Sequence, residues 1–194
     1  MILNGSANSI FEYLAEAYPE ARAALEAGRG MRPGLAEYQA MALFILARQY
    51  NRLGATILEF GTAIGYSACM LAQGAPLAQV VTVDPAREKS ELARENLYPW
   101  PNVRTVVMGS VDLLDQMPEQ DRFEMVFVDG DHSQDSVTAD ARAWLPAIRP
   151  GGIIAFHDYG RESLPGVKAG VDAVMGGYEV ILHAMTLKAF RVPE

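Results

Sequence analysis

Five short apolar runs rich in Val and Ile, at 56–60, 79–83, 103–108, 123–128 and 152–156, alternate with longer segments whose apolar residues recur at helical spacing. A continuous apolar run of this length reads as a strand buried on both faces, and a helix-length segment between two runs is what a parallel crossover needs. Five such strands in βα alternation predict an open, mostly parallel α/β sheet with helices on both faces. Beyond the fifth run, 165–175 reads as a helix, and two more apolar runs, 178–183 and 188–192, follow with only a few residues between them. So short a link permits an antiparallel hairpin and forbids a parallel crossover. Ahead of the first strand, 35–52 carries Met41, Phe44, Ile45 and Ala47 at helical spacing, and 9–18 reads as an earlier helix. The two form an N-terminal helical cap.

The chain of 194 residues suits one domain, with 1–52 as the cap and 53–194 as the core. Half of the residues are hydrophobic and 21% are charged, which excludes intrinsic disorder. A net charge of −8 has the wrong sign for broad contact with nucleic acid or an anionic membrane. No apolar window approaches the ~20 residues of a membrane span, and residues 1–5 lack the basic start of a secretory signal. Cys69 alone can form neither an internal disulfide nor a Cys-type zinc site, and reads as a small core residue. The expected location is the cytoplasm.

In open α/β sheets, ligands bind beyond the carboxyl ends of the strands, near the point where strand order reverses. The first strand runs into Glu59-Phe60-Gly61-Thr62-Ala63-Ile64-Gly65-Tyr66-Ser67, where Gly61 and Gly65 let backbone approach a ligand, or serve packing alone. The three glycines of a dinucleotide fingerprint are missing, which disfavours a nicotinamide-dependent dehydrogenase. The second strand ends in Asp84-Pro85, an acidic residue that can accept both hydroxyls of a ribose or cap the following helix. Ser110, after the third strand, suits a helix cap and an adenine edge equally. The fourth and fifth strands end in Asp129-Gly130-Asp131-His132 and His157-Asp158-Tyr159. Three Asp and two His on adjacent strand ends need a cation, a proton or a substrate to relieve them.

Taken together, these residues resemble the class I S-adenosylmethionine-dependent methyltransferases. Glu59-x-Gly61-x-x-x-Gly65 is similar to their first motif, Asp84 to the acid after the second strand, and Asp129 to the acid after the fourth. A narrower likeness, to the small bacterial macrocin O-methyltransferase and cephalosporin-hydroxylase-like group, is carried by Phe127-Val128-Asp129-Gly130-Asp131-His132-Ser133, Trp144-Leu145-Pro146-x-x-Arg149-Pro150-Gly151-Gly152, His157-Asp158-Tyr159 and Pro165-Gly166-Val167. The resemblance covers about residues 35–192 and implies a Rossmann-like, seven-stranded sheet ending in an antiparallel hairpin.

The activity implied is methyl transfer from S-adenosylmethionine to a hydroxyl of a small molecule. On the family pattern, Glu59, Gly61, Gly65 and Ser67 hold the amino-acid end of the cofactor, Asp84 the ribose and Ser110 the adenine, with Asp129 beside them. The same pattern puts a divalent ion on Asp129, His157 and Asp158. Magnesium is usual in the family, but His157 departs from its oxygen ligands and suits manganese or iron better, or a site without metal. Without an ion, Asp131 or His132 would be the general base, for transfer to O or N. A non-catalytic S-adenosylmethionine-binding protein is the alternative from another class. The nine Met read as core filler, with Met31 and Met41 in the cap the two that could face a substrate instead, and a homodimer is expected by resemblance.

Overall fold

The computed structural model describes residues 1–31, 34–118 and 122–194. Among these, eight strands form one sheet: β1 (Ile2–Leu3), β2 (Thr56–Phe60), β3 (Gln79–Val83), β4 (Val103–Val106), β5 (Phe123–Val128), β6 (Ile148–Phe156), β7 (Glu179–Ala184) and β8 (Leu187–Arg191). Their spatial order is β1-β7-β8-β6-β5-β2-β3-β4. All neighbours are parallel except β8, which runs antiparallel to both β6 and β7. The helices are α1 (Ala7–Ala17), α2 (Pro19–Ala27), α3 (Glu37–Arg48), α4 (Tyr66–Gly74), α5 (Arg87–Asn96), α6 (Ser110–Gln116), α7 (Gln134–Trp144) and α8 (Pro165–Met175).

Every residue of β5 is buried, as expected of a central strand that is apolar apart from Glu124 and covered on both faces. On one face Ile57, Val80, Met125, Phe127 and Ile153 join a core with α3 and α4. On the other, Leu58, Phe60, Val126, Ile154 and Phe156 pack with α7 and α8 around Trp144, whose ring lies 5.0 Å from Phe60 and 5.8 Å from Phe123. The α3 helix is buried at nine of its twelve positions, so this part of the cap is core rather than a lid. Met41 is fully enclosed and Met31 nearly so, which agrees with core filling and leaves neither facing an acceptor. At the opposite end of the strands, buried Glu124 takes Arg52 at 3.0 Å, Arg149 at 2.9 Å and the Thr56 N–H at 2.6 Å, tying the starts of β2 and β5 together.

Three details differ from the sequence reading. β1 is an eighth strand, and two residues are too few for periodicity to reveal. The unanticipated α2 opens with Pro19 at its first turn, where a missing N–H costs nothing. β6 starts four residues earlier than expected because a register shift opposite Phe123 and Met125 accommodates Pro150 and Gly151, which in sequence read as a turn.

Candidate functional site

Sheet register assembles the site. Phe60 is paired with Val83 on one side and Val128 on the other, Val83 with Val106, and Val128 with Phe156. The next residues, Gly61, Asp84, Asp129 and His157, therefore stand side by side along one edge. The chain moves outward from β2 through β3 to β4 and returns to β5, so strand order reverses between β2 and β5. A cleft of about 590 Å³ opens there, with Gly61, Asp84, Ser110, Asp129, Asp131 and His132 in its walls.

The glycine turn is fixed by contact as well as by conformation. Gly61 has φ +94°, and a Cβ at that position would lie 2.0 Å from the carbonyl oxygen of Asp129, so no other residue fits. Gly65, at φ +93°, precedes the first turn of α4. Asp84 braces the turn: one carboxylate oxygen accepts the Ala63 N–H at 3.1 Å, the other the Ala86 N–H at 2.8 Å. It thus locks two loops while lining the cleft. Ser110 is not a helix cap, since Gly109 holds that position; its hydroxyl donates instead to Asp140 Oδ1 at 2.5 Å across the cleft wall.

Glu59 lies behind the turn with no exposed surface. Its Oε2 accepts from the Thr82 hydroxyl at 2.5 Å, and Thr62 continues that chain at 2.7 Å, whereas Oε1 has no hydrogen-bond partner among the described residues. Burial raises its carboxyl to about 8, against the pull of the Ser67 and Thr82 hydroxyls, with Asp129 and Asp84 adding to the rise.

The ends of β5 and β6 bring four ionisable side chains together. His157 Nδ1 is 3.0 Å from Asp129 Oδ1 and 3.5 Å from Asp158 Oδ2. His132 Nε2 lies 3.1 Å from the same Asp158 oxygen and 3.9 Å from the same Asp129 oxygen. Arg161 holds the other oxygen of Asp158 at 3.1 Å. Burial pulls the His157 imidazole down, but its hydrogen bond to Asp129 and the charges of Asp129 and Asp158 outweigh burial, so its pKa is raised. Asp131 turns away from the cluster. Its carboxylate accepts the Ser133 N–H at 2.7 Å, and the Ser133 hydrogen bonds lower its pKa, which makes it a weak base.

This donor set fits a divalent ion. One ligand atom each from Asp129, His132 and Asp158 falls within 4.8 Å of the others. A first-row ion at its usual bond lengths sets neighbouring ligands about 3 Å apart, near the separations found here. Imidazole beside carboxylate favours manganese, iron or zinc over magnesium.

The structure thus brings Gly61, Asp84, Ser110, Asp129, Asp131 and His132 to one cleft. Glu59 lies behind the turn, and Gly65 and Ser67 sit at the start of α4. Two further residues are placed here without having been singled out in the sequence. Asp140 lines the cleft one turn beyond Ser136, a polar i, i+4 pair on α7 that could have signalled it. Gln39 is buried inside α3 and faces His157; a lone amide just ahead of the apolar run 40–47 was the signal.

Residues 58–159 match the family model Methyltransf_24, described as a methyltransferase domain, and that match takes in more than half of the chain. The chain belongs to this methyltransferase-domain family. Among curated proteins, the mimivirus protein R132 of Acanthamoeba polyphaga mimivirus is 27% identical over 126 residues, 59% of this chain and 56% of that protein. The chain therefore matches little more than half the length of that relative. Among solved structures, cofactor-bound Rv0187 from MTB superposes with a TM-score of 0.74 at 22% identity, covering 99% of this chain and 100% of the other. An O-methyltransferase from Bacillus cereus in complex with SAH gives 0.68 at 20% identity, covering 96% and 97%. At these identities the structural likeness shows a shared fold.

Proposed function

We propose that the protein is an S-adenosylmethionine-dependent methyltransferase that methylates a hydroxyl of a small molecule. The observation that carries this reading is the register that sets the glycine turn and Asp84 beside the Asp129, His132, His157 and Asp158 cluster, with Asp129 and His132 of that cluster in the wall of the same cleft. The cofactor supplies a methyl already activated on a sulfonium, so the protein has to orient donor and acceptor and take the acceptor's proton. Asp84 suits a ribose because its oxygens keep lone pairs on the cleft side after meeting Ala63 and Ala86. Gly61 backbone, Gly65 and Ser67 would hold the amino-acid end, with Glu59 behind them, and Ser110 with Asp140 would flank the adenine.

On the acceptor side, the oxygen–carbon bond forms as the carbon–sulfur bond breaks, with the electron pair leaving on sulfur. His132, half-exposed in the cleft wall and oriented by Asp158, would receive the acceptor's proton. Asp129 and Asp158, with imidazole, would hold a divalent ion that lowers the acceptor's pKa when bound. The bound O-methyltransferase structure named above supports both the cofactor and oxygen as the accepting atom.

Calorimetry with S-adenosylmethionine and its demethylated product tests the reading. Saturable heat with both is expected, reduced at least tenfold in affinity by Asp84→Ala; no heat from either sinks it. Turnover with a panel of phenols and sugars, with and without chelator, then separates hydroxyl from amine acceptors and ion-assisted from ion-free transfer.

A further inference from the structure

At the starts of the strands, the end opposite the cleft, the sheet face that packs around Trp144 is left partly uncovered over β2, β3 and β4. The reason is the length of α6. Its seven residues rise about 10 Å, against about 16 Å for the five residues of β3, and none of them is buried. A cavity of about 410 Å³ remains there, sharing no lining residue with the cleft. Its floor is apolar: Leu58, Val81 and Val106 come from the strands, and Leu113 and Met117 from α6 and its end. All but Leu58 are only half-buried, so a patch of apolar side chains meets water inside a hollow.

The rim is cationic. Arg104 on β4, Arg122 just ahead of β5 and Arg149 on β6 line the cavity, and no acidic side chain does so among the described residues. Arg104 shares a face of its strand with Val106, two residues on, and is exposed with no ion pair or hydrogen bond among the described residues. Arg149 is half-exposed, with Nε 2.9 Å from Glu124, but that one buried carboxylate also takes Arg52, so two guanidiniums share a single negative charge. On a chain of net charge −8 this is a local positive surplus. A lone arginine on an edge strand serves to discourage pairing with another chain. That need does not set guanidiniums from three segments around one apolar hollow.

We propose that this cavity is a second binding site, for a small amphipathic anion whose ring-sized apolar body covers the floor and whose oxyanion head meets Arg104 and Arg149. The head supplies the negative charge that the rim lacks, and guanidinium forks match the geometry of such heads. The body takes the half-buried apolar side chains out of water. The cavity volume lies within the range of small-molecule sites. The proposal goes beyond the methyltransferase reading and stands apart from it, since the two sites occupy opposite ends of the strands.

Fluorescence titration with anilinonaphthalene sulfonate tests it, with phenylnaphthylamine, the same rings without the sulfonate, as the neutral counterpart. The folded wild type should bind the sulfonate at one saturable site and the neutral compound at least tenfold more weakly. Arg104→Gln should weaken the sulfonate about tenfold, the scale of one hydrogen bond to a charged group, and leave the neutral compound unchanged. Arg104→Lys keeps the charge and should recover part of that loss. The demethylated cofactor at saturation should not displace the dye. Naphthoate and naphthyl phosphate should both compete with it, and their ranking tells a carboxylate head from a phosphate. No saturable binding, equal binding of the charged and neutral compounds, equal affinities of wild type and Arg104→Gln, or competition by neither naphthyl anion would overturn the proposal. Displacement by the demethylated cofactor would do so too, because it would put the dye in the cleft.

Discussion

Replacing Glu59 by Gln removes a titratable group from the core while keeping its shape. The carboxyl has no exposed surface and titrates at about 8, against 4.5 for an ordinary glutamate. Between those values the folded protein binds a proton that the unfolded chain does not, so folding takes up a proton. The stabilising contribution is therefore complete below the unfolded value and is lost progressively as the pH rises through the folded one. Each pH unit inside that window is worth about 1.4 kcal/mol, so from pH 5 to pH 7 the wild type should lose about 3 kcal/mol relative to Glu59→Gln. Other ionisable groups contribute alike to both proteins and cancel in the difference. Urea unfolding of both proteins at several pH values measures this, and the two stability curves should diverge as the pH rises, with the variant the more stable at pH 7. Parallel curves would refute the reasoning, because they would mean that the folded and unfolded carboxyls titrate together.

Gly61→Ala drives a methyl into the Asp129 carbonyl and forces a left-handed backbone on a residue with a side chain, so urea unfolding should show a loss of about 2–5 kcal/mol. An unchanged midpoint would mean that the turn relaxes away from β5. Cys69 is fully buried and its thiol is pushed up to about 12, so a thiol reagent at pH 8 should leave the native protein unlabelled and modify one cysteine once urea is added. Rapid labelling without urea would contradict its placement on the buried face of α4.

The glycine-turn half of the candidate site was legible in the sequence because it is local. A strand, its turn and the next helix start share one short stretch, as in Glu59 to Ser67, and Asp84 and Ser110 likewise follow directly from strands whose apolar runs are plain. The sheet edge could be read for the same reason, since parallel strands in register align whatever follows them. The Asp129, His132, His157 and Asp158 half depends on contacts between distant segments. Nothing at position 39 indicates position 157, because helical periodicity reports which face is buried and not what that face meets. Asp131 and His132 are adjacent in sequence, yet one side chain closes its own turn and the other reaches Asp158, a difference set by local hydrogen bonds and not by spacing.

The hydrogen bond between Gln39 and Thr186 has a consequence for recombining such enzymes. It joins a helix near one end of the sequence to a hairpin near the other, with the glycine turn and Asp84 lying between them along the chain. Acceptor preference, if it resides at this joint, cannot be moved from one homologue to another by a single crossover. A chimera carrying only a foreign cap would pair its amide with an unmatched hairpin turn, so the two segments should be inherited, or exchanged, as a set.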